Sequence, residues 1–116
     1  MLITLDDRIF VAGSTGMAGS AICRSLLKKG YGQKDKGGAL LRPKRKELDL
    51  LNLDNIRKWF IANKPNVVVI AAAKVGGILA NSDYPADFLL ENLKMQTNLI
   101  ETAWEYDVKR LLFSRK

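Results

Sequence analysis

The amino-acid sequence predicts an α/β domain with a doubly wound parallel sheet, on two observations. Short apolar runs, several of them β-branched, alternate with segments of helical periodicity along the whole chain. A glycine triplet stands between the first of those runs and the first helix. Strands that alternate with helices pair in parallel through right-handed crossovers. The 116 residues suffice for one domain, 1–116, and no more.

The elements follow in order. Arg8-Ile9-Phe10-Val11-Ala12 reads as a buried strand. After glycine-rich 13–19, Met17, Ala18, Ala21, Ile22, Ser25 and Leu26 recur at helical spacing until Gly30 ends the helix. Polar, glycine-rich 31–38 is expected to be a loop. Ala39-Leu40-Leu41 is a second strand, closed by Arg42-Pro43 because proline cannot continue a central strand. Asn52 or Asp54 caps a helix whose apolar stripe is Leu53, Ile56, Trp59 and Phe60, with Pro65 beyond its end. Residues 66–71, Asn-Val-Val-Val-Ile-Ala, form the clearest strand, apolar as a strand covered on both faces must be. A loop over 74–84 follows. Pro85 is expected at the first helical position of a long helix reaching about Tyr106, and 109–113 begins a fourth strand. The expected architecture is therefore an incomplete sheet of about four strands with three helices.

Composition removes several function classes. There is no histidine, so Ser-His-Asp and Cys-His sites and histidine metal centres are excluded. One cysteine, Cys23, makes neither an internal disulfide nor a thiolate cage, and a reducing, cytoplasmic setting is expected. No metal site is expected. The N-terminal MLITLDDRIF carries two acids and is no secretory signal, and no apolar run is long enough for a membrane span. Apolar residues make up 47% and charged residues 27%, which permits a core. Lys+Arg number 19 against 12 Asp+Glu, a formal charge of +7 concentrated in the middle of the chain. A solvated basic loop and a site for phosphate-bearing ligands both fit this cluster. Nucleic acid fits less well, since no aromatic residues interleave with the cations.

The main chemical signal is Gly13-Ser14-Thr15-Gly16-Met17-Ala18-Gly19. A tight strand-to-helix turn needs a residue without Cβ at Gly13, a pyrophosphate against the backbone needs another at Gly16, and close helix-on-sheet packing favours a third at Gly19. The helix N-terminus then offers N–H groups and a positive dipole to phosphates. No P-loop lysine is present. Roughly 20 residues on, where an acid would bind a free ribose 2′-hydroxyl, stands Arg42. A guanidinium there suits a 2′-phosphate, and hence NADP(H). Lys44 and Arg45 read equally as solvated loop residues.

GSTGMAGS at 13–20, Arg42 with ELDL at 47–50, AAAKVGGI at 71–78, YPADF at 84–88 and Glu91-Asn92 together resemble the GDP-L-fucose synthases, a branch of the extended short-chain dehydrogenase/reductases. The likeness runs from about Arg8 to Phe113. It implies a Rossmann-like fold, NADP(H) as cofactor and a GDP-sugar substrate, GDP-4-keto-6-deoxy-D-mannose, which such enzymes epimerise and reduce. It carries cofactor binding to Gly13, Ser14, Thr15, Gly16, Met17, Gly19, Arg42, Asp49, Leu50, Ala71, Ala72 and Ala73, and a substrate-side loop to Lys74, Val75, Gly76 and Gly77. It also implies a homodimer formed through helix 85–106, whose apolar residues cover more than one face. The family's Tyr-x-x-x-Lys pair and its cysteine and histidine have no counterpart here, so no catalytic residue is assigned. The chain is expected to be an N-terminal cofactor-binding portion, inactive alone. A non-catalytic NADP-binding or dimerising module, and another NAD(P)-dependent nucleotide-sugar epimerase or dehydratase, are the alternatives.

Overall fold

The computed structural model describes residues 3–14, 16–71 and 85–113. Strands β1 (Arg8–Ala12), β2 (Ala39–Leu41), β3 (Val67–Ile70) and β4 (Arg110–Phe113) form one sheet in the order β2-β1-β3-β4. All three pairings are parallel, with Ile9 opposite both Leu40 and Val67, and Val68 opposite Leu111. Helices α1 (Met17–Lys28), α2 (Leu53–Asn63) and α3 (Ala86–Glu105) make the connections.

Successive side chains of a strand point to opposite faces, so a sheet covered on both sides needs apolar residues at every position. Phe10, Ala12, Val68 and Ile70 pack with Ile56 and Phe60 of α2 and Leu99 and Ala103 of α3. Ile9, Val11, Val67 and Val69 pack with Cys23 of α1, and Ile22 and Leu26 lie against them. The doubly wound arrangement is thus observed: among the described residues, α1 covers one face and α2 and α3 the other. Phe10 anchors the larger core, its ring centroid 4.6 Å from Trp59 and 6.0 Å from Phe60.

Local chemistry sets the element ends. The open choice at the second helix resolves to Asn52, whose side chain accepts the Asn55 N–H at 3.0 Å. The α1 helix ends in a Schellman pair, Gly30 N–H to Leu27 and Tyr31 N–H to Leu26, at the glycine expected to stop it. Pro85 differs from expectation by one position. It is the N-cap of α3, with ψ 143 keeping it extended, and its carbonyl accepts the Leu89 N–H. Segment 31–38 also differs, because Lys34–Lys36 form one turn of 3₁₀-helix. Three charged and polar residues carry no apolar period by which to see such a turn. The third and fourth strands are shorter than read: Asn66 precedes β3, where its side chain accepts the Arg8 N–H at 2.7 Å, and Lys109 precedes β4.

Helix α3 presents two surfaces. Its buried side is partly polar, with Asn92, Gln96 and Thr102 beside Leu99 and Ala103. Asn92 and Thr102 are satisfied within the helix, donating to the carbonyls of Phe88 and Asn98, both at 2.8 Å. Arg57 of α2 reaches across to Glu101 and Glu105 at 3.2 and 3.0 Å and ties the two helices together. Among the described residues no helix is long and apolar enough to cross a membrane.

One buried ion pair joins the start of β1 to the start of β4. Asp7 accepts from the Lys109 ammonium at 2.7 Å and from the Thr4 N–H at 2.7 Å. Burial works to raise the Asp7 pKa, but these hydrogen bonds and the lysine's charge outweigh it and hold the carboxyl below its ordinary value. A carboxylate with a lowered folded pKa contributes stability above its unfolded pKa, and that contribution is lost as pH falls through the folded value. Asp7→Asn should therefore lower unfolding free energy by about 3 kcal/mol at neutral pH. The difference from wild type should shrink below about pH 4 in urea unfolding monitored by circular dichroism.

Candidate functional site

Strand β2 lies to one side of β1 and β3 to the other, so the chain reverses its winding direction between β1 and β3. In an open parallel sheet the crevice at the carboxyl ends of those two strands is where ligands bind. A cavity of about 420 Å³ opens there, floored by Ala12 at the end of β1, by Gly13 after it and by Ala71 after β3. One wall is the segment after β2, from Pro43 to Leu51, and the other is the first turns of α3.

The glycine turn brings α1 to this cavity. Gly13 takes φ +82, the left-handed region that disfavours a side chain, and its carbonyl accepts the Gly16 N–H at 3.1 Å. Ser20 Oγ donates to the Ser14 carbonyl at 3.0 Å and closes the turn from the helix side. Gly19 is buried beneath it: a Cβ there would overlap the Gly13 carbonyl oxygen and lie 2.7 Å from its carbon. Gly16 has no such limit, since its Cβ would meet only the Gly13 oxygen at 3.5 Å. Gly16 is the N-cap of α1 and has no side chain to cap the helix, and the first turn carries no acid. The uncapped positive end of the helix dipole therefore sits at the cavity rim.

Of the residues expected at a cofactor site, Gly13, Ser14, Gly16, Asp49, Leu50 and Ala71 line this one cavity. Gly19 supports the turn from below. Met17 is 91% exposed and is not part of the lining. Thr15, Ala72, Ala73, Lys74, Val75, Gly76 and Gly77 lie outside the described residues. Arg42 is exposed and outside the lining, whereas Lys44 and Arg45 are in it. After β2 and Pro43 the chain turns at residues 45–47, where the Glu47 and Leu48 amides fold back onto the Lys44 carbonyl, with Lys44 and Arg45 at the rim. Sequence reasoning did not anticipate Phe88, Glu91, Asn92 and Met95 of α3 at the wall. Their i, i+3, i+4, i+7 spacing marks one helix face, but nothing local says what that face meets.

Cys23 stands apart from the site, 3% exposed in the smaller core. Burial pushes its thiol pKa up, against the opposing charges of Arg42 and Arg24, so it is a packing residue and not a nucleophile.

The sheet order, the crevice and the glycine turn define a Rossmann-like α/β domain with its binding cavity at the switch point. The chain matches the NAD dependent epimerase/dehydratase family over residues 9–115 and belongs to it. It is 47% identical over 106 residues to GDP-L-fucose synthase 1 of Arabidopsis thaliana, covering 91% of this chain and 31% of that one. The solved GDP-D-glycero-L-gluco-heptose synthase of Campylobacter jejuni, in the presence of NADPH, superposes with a TM-score of 0.76 at 32% identity, over 97% of this chain and 31% of that one. A GDP-L-fucose synthetase from Naegleria fowleri bound to NADP gives a TM-score of 0.73 at 27% identity, over 96% and 31%. The chain thus spans about a third of the length of the curated relatives it matches.

The two inner glycines should respond oppositely to the same change. Gly19→Ala forces the helix off the turn and should cost about 2 kcal/mol, read as a lowered unfolding temperature. Gly16→Ala should leave that temperature within a few degrees of wild type, because its added methyl makes only an ordinary van der Waals contact, 3.5 Å from the Gly13 oxygen.

Proposed function

We propose that this chain is the NADP(H)-holding portion of a GDP-L-fucose synthase, which epimerises and reduces GDP-4-keto-6-deoxy-D-mannose in the cytoplasm. The observation that carries this reading is the meeting, on one cavity, of the α1 N-terminus with Lys44 and Arg45. The first suits a pyrophosphate, and a pair of cations one β-loop away suits a ribose 2′-phosphate. The identity to GDP-L-fucose synthases supports the substrate class.

In this arrangement the backbone of Gly13, Ser14 and Gly16 cradles the pyrophosphate. Thr15 and the exposed Met17 would add to the same phosphate site, and Gly19 holds the helix close enough to aim its dipole at the phosphates. Lys44 and Arg45 would neutralise the 2′-phosphate, in place of Arg42, which lies outside the lining. Leu48, Asp49, Leu50 and Leu51, which line the cavity, would hold the adenosine half. Ala71, which lines the cavity, with Ala72 and Ala73 would hold the nicotinamide half, and Lys74, Val75, Gly76 and Gly77 would serve the substrate side. The reduced nicotinamide, when bound, supplies a hydride to the sugar's ketone. These 116 residues contain no histidine and no tyrosine placed four residues before a lysine, and by themselves they do not turn over substrate.

The reading includes a homodimer through α3. Ala86, Leu90, Leu93, Thr97, Ile100 and Trp104 follow a four-three spacing along one exposed face, the pattern of a helix seam. Trp104 is 79% exposed on that face.

Calorimetry tests the cofactor. NADPH should bind more tightly than NADH, and Lys44→Ala with Arg45→Ala should remove about 2 to 3 kcal/mol of NADPH affinity while leaving NADH unchanged. Equal affinities in the unaltered protein would sink the assignment. Sedimentation tests the seam: Ile100→Glu with Trp104→Glu should yield monomer at concentrations where the wild type is a dimer.

A further inference from the structure

The cavity wall formed by residues 48–51 has no strand or helix of its own, yet its backbone is held at two successive residues by asparagines from two different helices. The Asp49 N–H donates to Asn55 Oδ1 of α2 at 2.7 Å. The Leu50 carbonyl accepts from Asn98 Nδ2 of α3 at 2.9 Å. Within the wall, the Leu51 N–H donates to Asp49 Oδ1 at 3.0 Å and the Asn52 N–H to the Asp49 carbonyl at 3.1 Å. Asn98 lies on the side of α3 that continues the cavity face of Phe88, Glu91, Asn92 and Met95, one turn beyond the last of them. Helix α3 therefore forms one wall of the cavity and grips the other.

We propose that Asn55 and Asn98 are positioning residues for the adenosine half of the cofactor: together they set the spacing between segment 48–51 and α3, and with it the width of the cavity. This rests on the cofactor reading above. The two asparagines work with opposite polarity. Asn55 must offer an oxygen, because it receives an N–H. Asn98 must offer its amide protons, because it faces a carbonyl. A ligand that fits between the two walls binds without having to order them, which is the advantage of a site organised in advance. Loss of either clamp frees a segment that has no regular hydrogen-bonding ladder to fall back on.

One substitution at two positions separates this role from general stability. Asp retains an acceptor but cannot donate when ionised. Asn55→Asp keeps the bond to Asp49 N–H, at a helix first turn where a carboxylate is favoured, and should bind 2′,5′-ADP within about twofold of wild type. Asn98→Asp sets a carboxylate against the Leu50 carbonyl and should weaken 2′,5′-ADP about tenfold, the worth of one hydrogen bond. Asn55→Ala and Asn98→Ala, which introduce no repulsion, should each weaken it by a similar factor. Reduced nicotinamide mononucleotide should bind all variants of the intact protein equally. Hydrogen exchange at the Asp49 amide should quicken in Asn55→Ala and not in Asn55→Asp. Equal behaviour of the two Asp variants, or equal loss of the two half-ligands, overturns the proposal while leaving the cofactor reading in place. Failure of the unaltered protein to bind either NADPH or 2′,5′-ADP overturns both.

Discussion

The contact on which the site depends is the seating of α1 against the turn that precedes it. Gly19 lies so close to the Gly13 carbonyl and to Ser14 Cα that any side chain would separate them. That approach sets the tilt of α1 over β1 and leaves its first N–H groups at the carboxyl end of the strand. A helix displaced outward by even a methyl group would still pack on Ile9 and Val11, but its positive end would no longer reach the crevice. Binding geometry and core packing are therefore one constraint here, met at a single glycine.

The same economy governs the sheet. Phe10 and Ile9 are neighbours in the chain and belong to different cores, as do Val68 and Val67. A parallel sheet has no solvent face on which to place a polar residue, so the polar demands of the fold move to its ends. At the amino ends of the strands they are met by Asp7, Lys109 and Asn66, in an ion pair and backbone bonds. At the carboxyl ends the last backbone groups lie beside a cavity, the place where a ligand can use them. The buried polar residues of α3 fit this division. Asn92 and Thr102 bond inward to their own helix, which spares the core, while Asn98 reaches out to the wall.

Much of the architecture was legible in residue order. Alternating strand and helix patterns, the Gly30 stop and the apolar run after Asn66 are local signals, and each corresponds to an observed element. Where the reading slipped, the cause is specific. The 3₁₀ turn at Lys34–Lys36 has no apolar period, and the position of Pro85 differs by one residue because proline's fixed φ suits both an N-cap and a first helical residue. The cavity lining was legible where it is built from one contiguous turn, as at Gly13, Ser14 and Gly16.

By itself the sequence determined the class of fold and the glycine turn, because both follow from short-range periodicity and from where a Cβ is missing; the order of the strands, β2-β1-β3-β4, came from the tertiary structure. Only the tertiary structure decided which cations reach the cavity. Arg42, Lys44 and Arg45 lie within four residues of one another, yet the last two, at the turn closed on the Lys44 carbonyl, line the cavity and the first lies outside the lining. The tertiary structure alone also decided that Asn55 and Asn98, 43 positions apart in the chain, hold adjacent residues of one wall. Such pairings depend on how two helices dock on a shared sheet, and no local pattern in either helix encodes the partner it will meet.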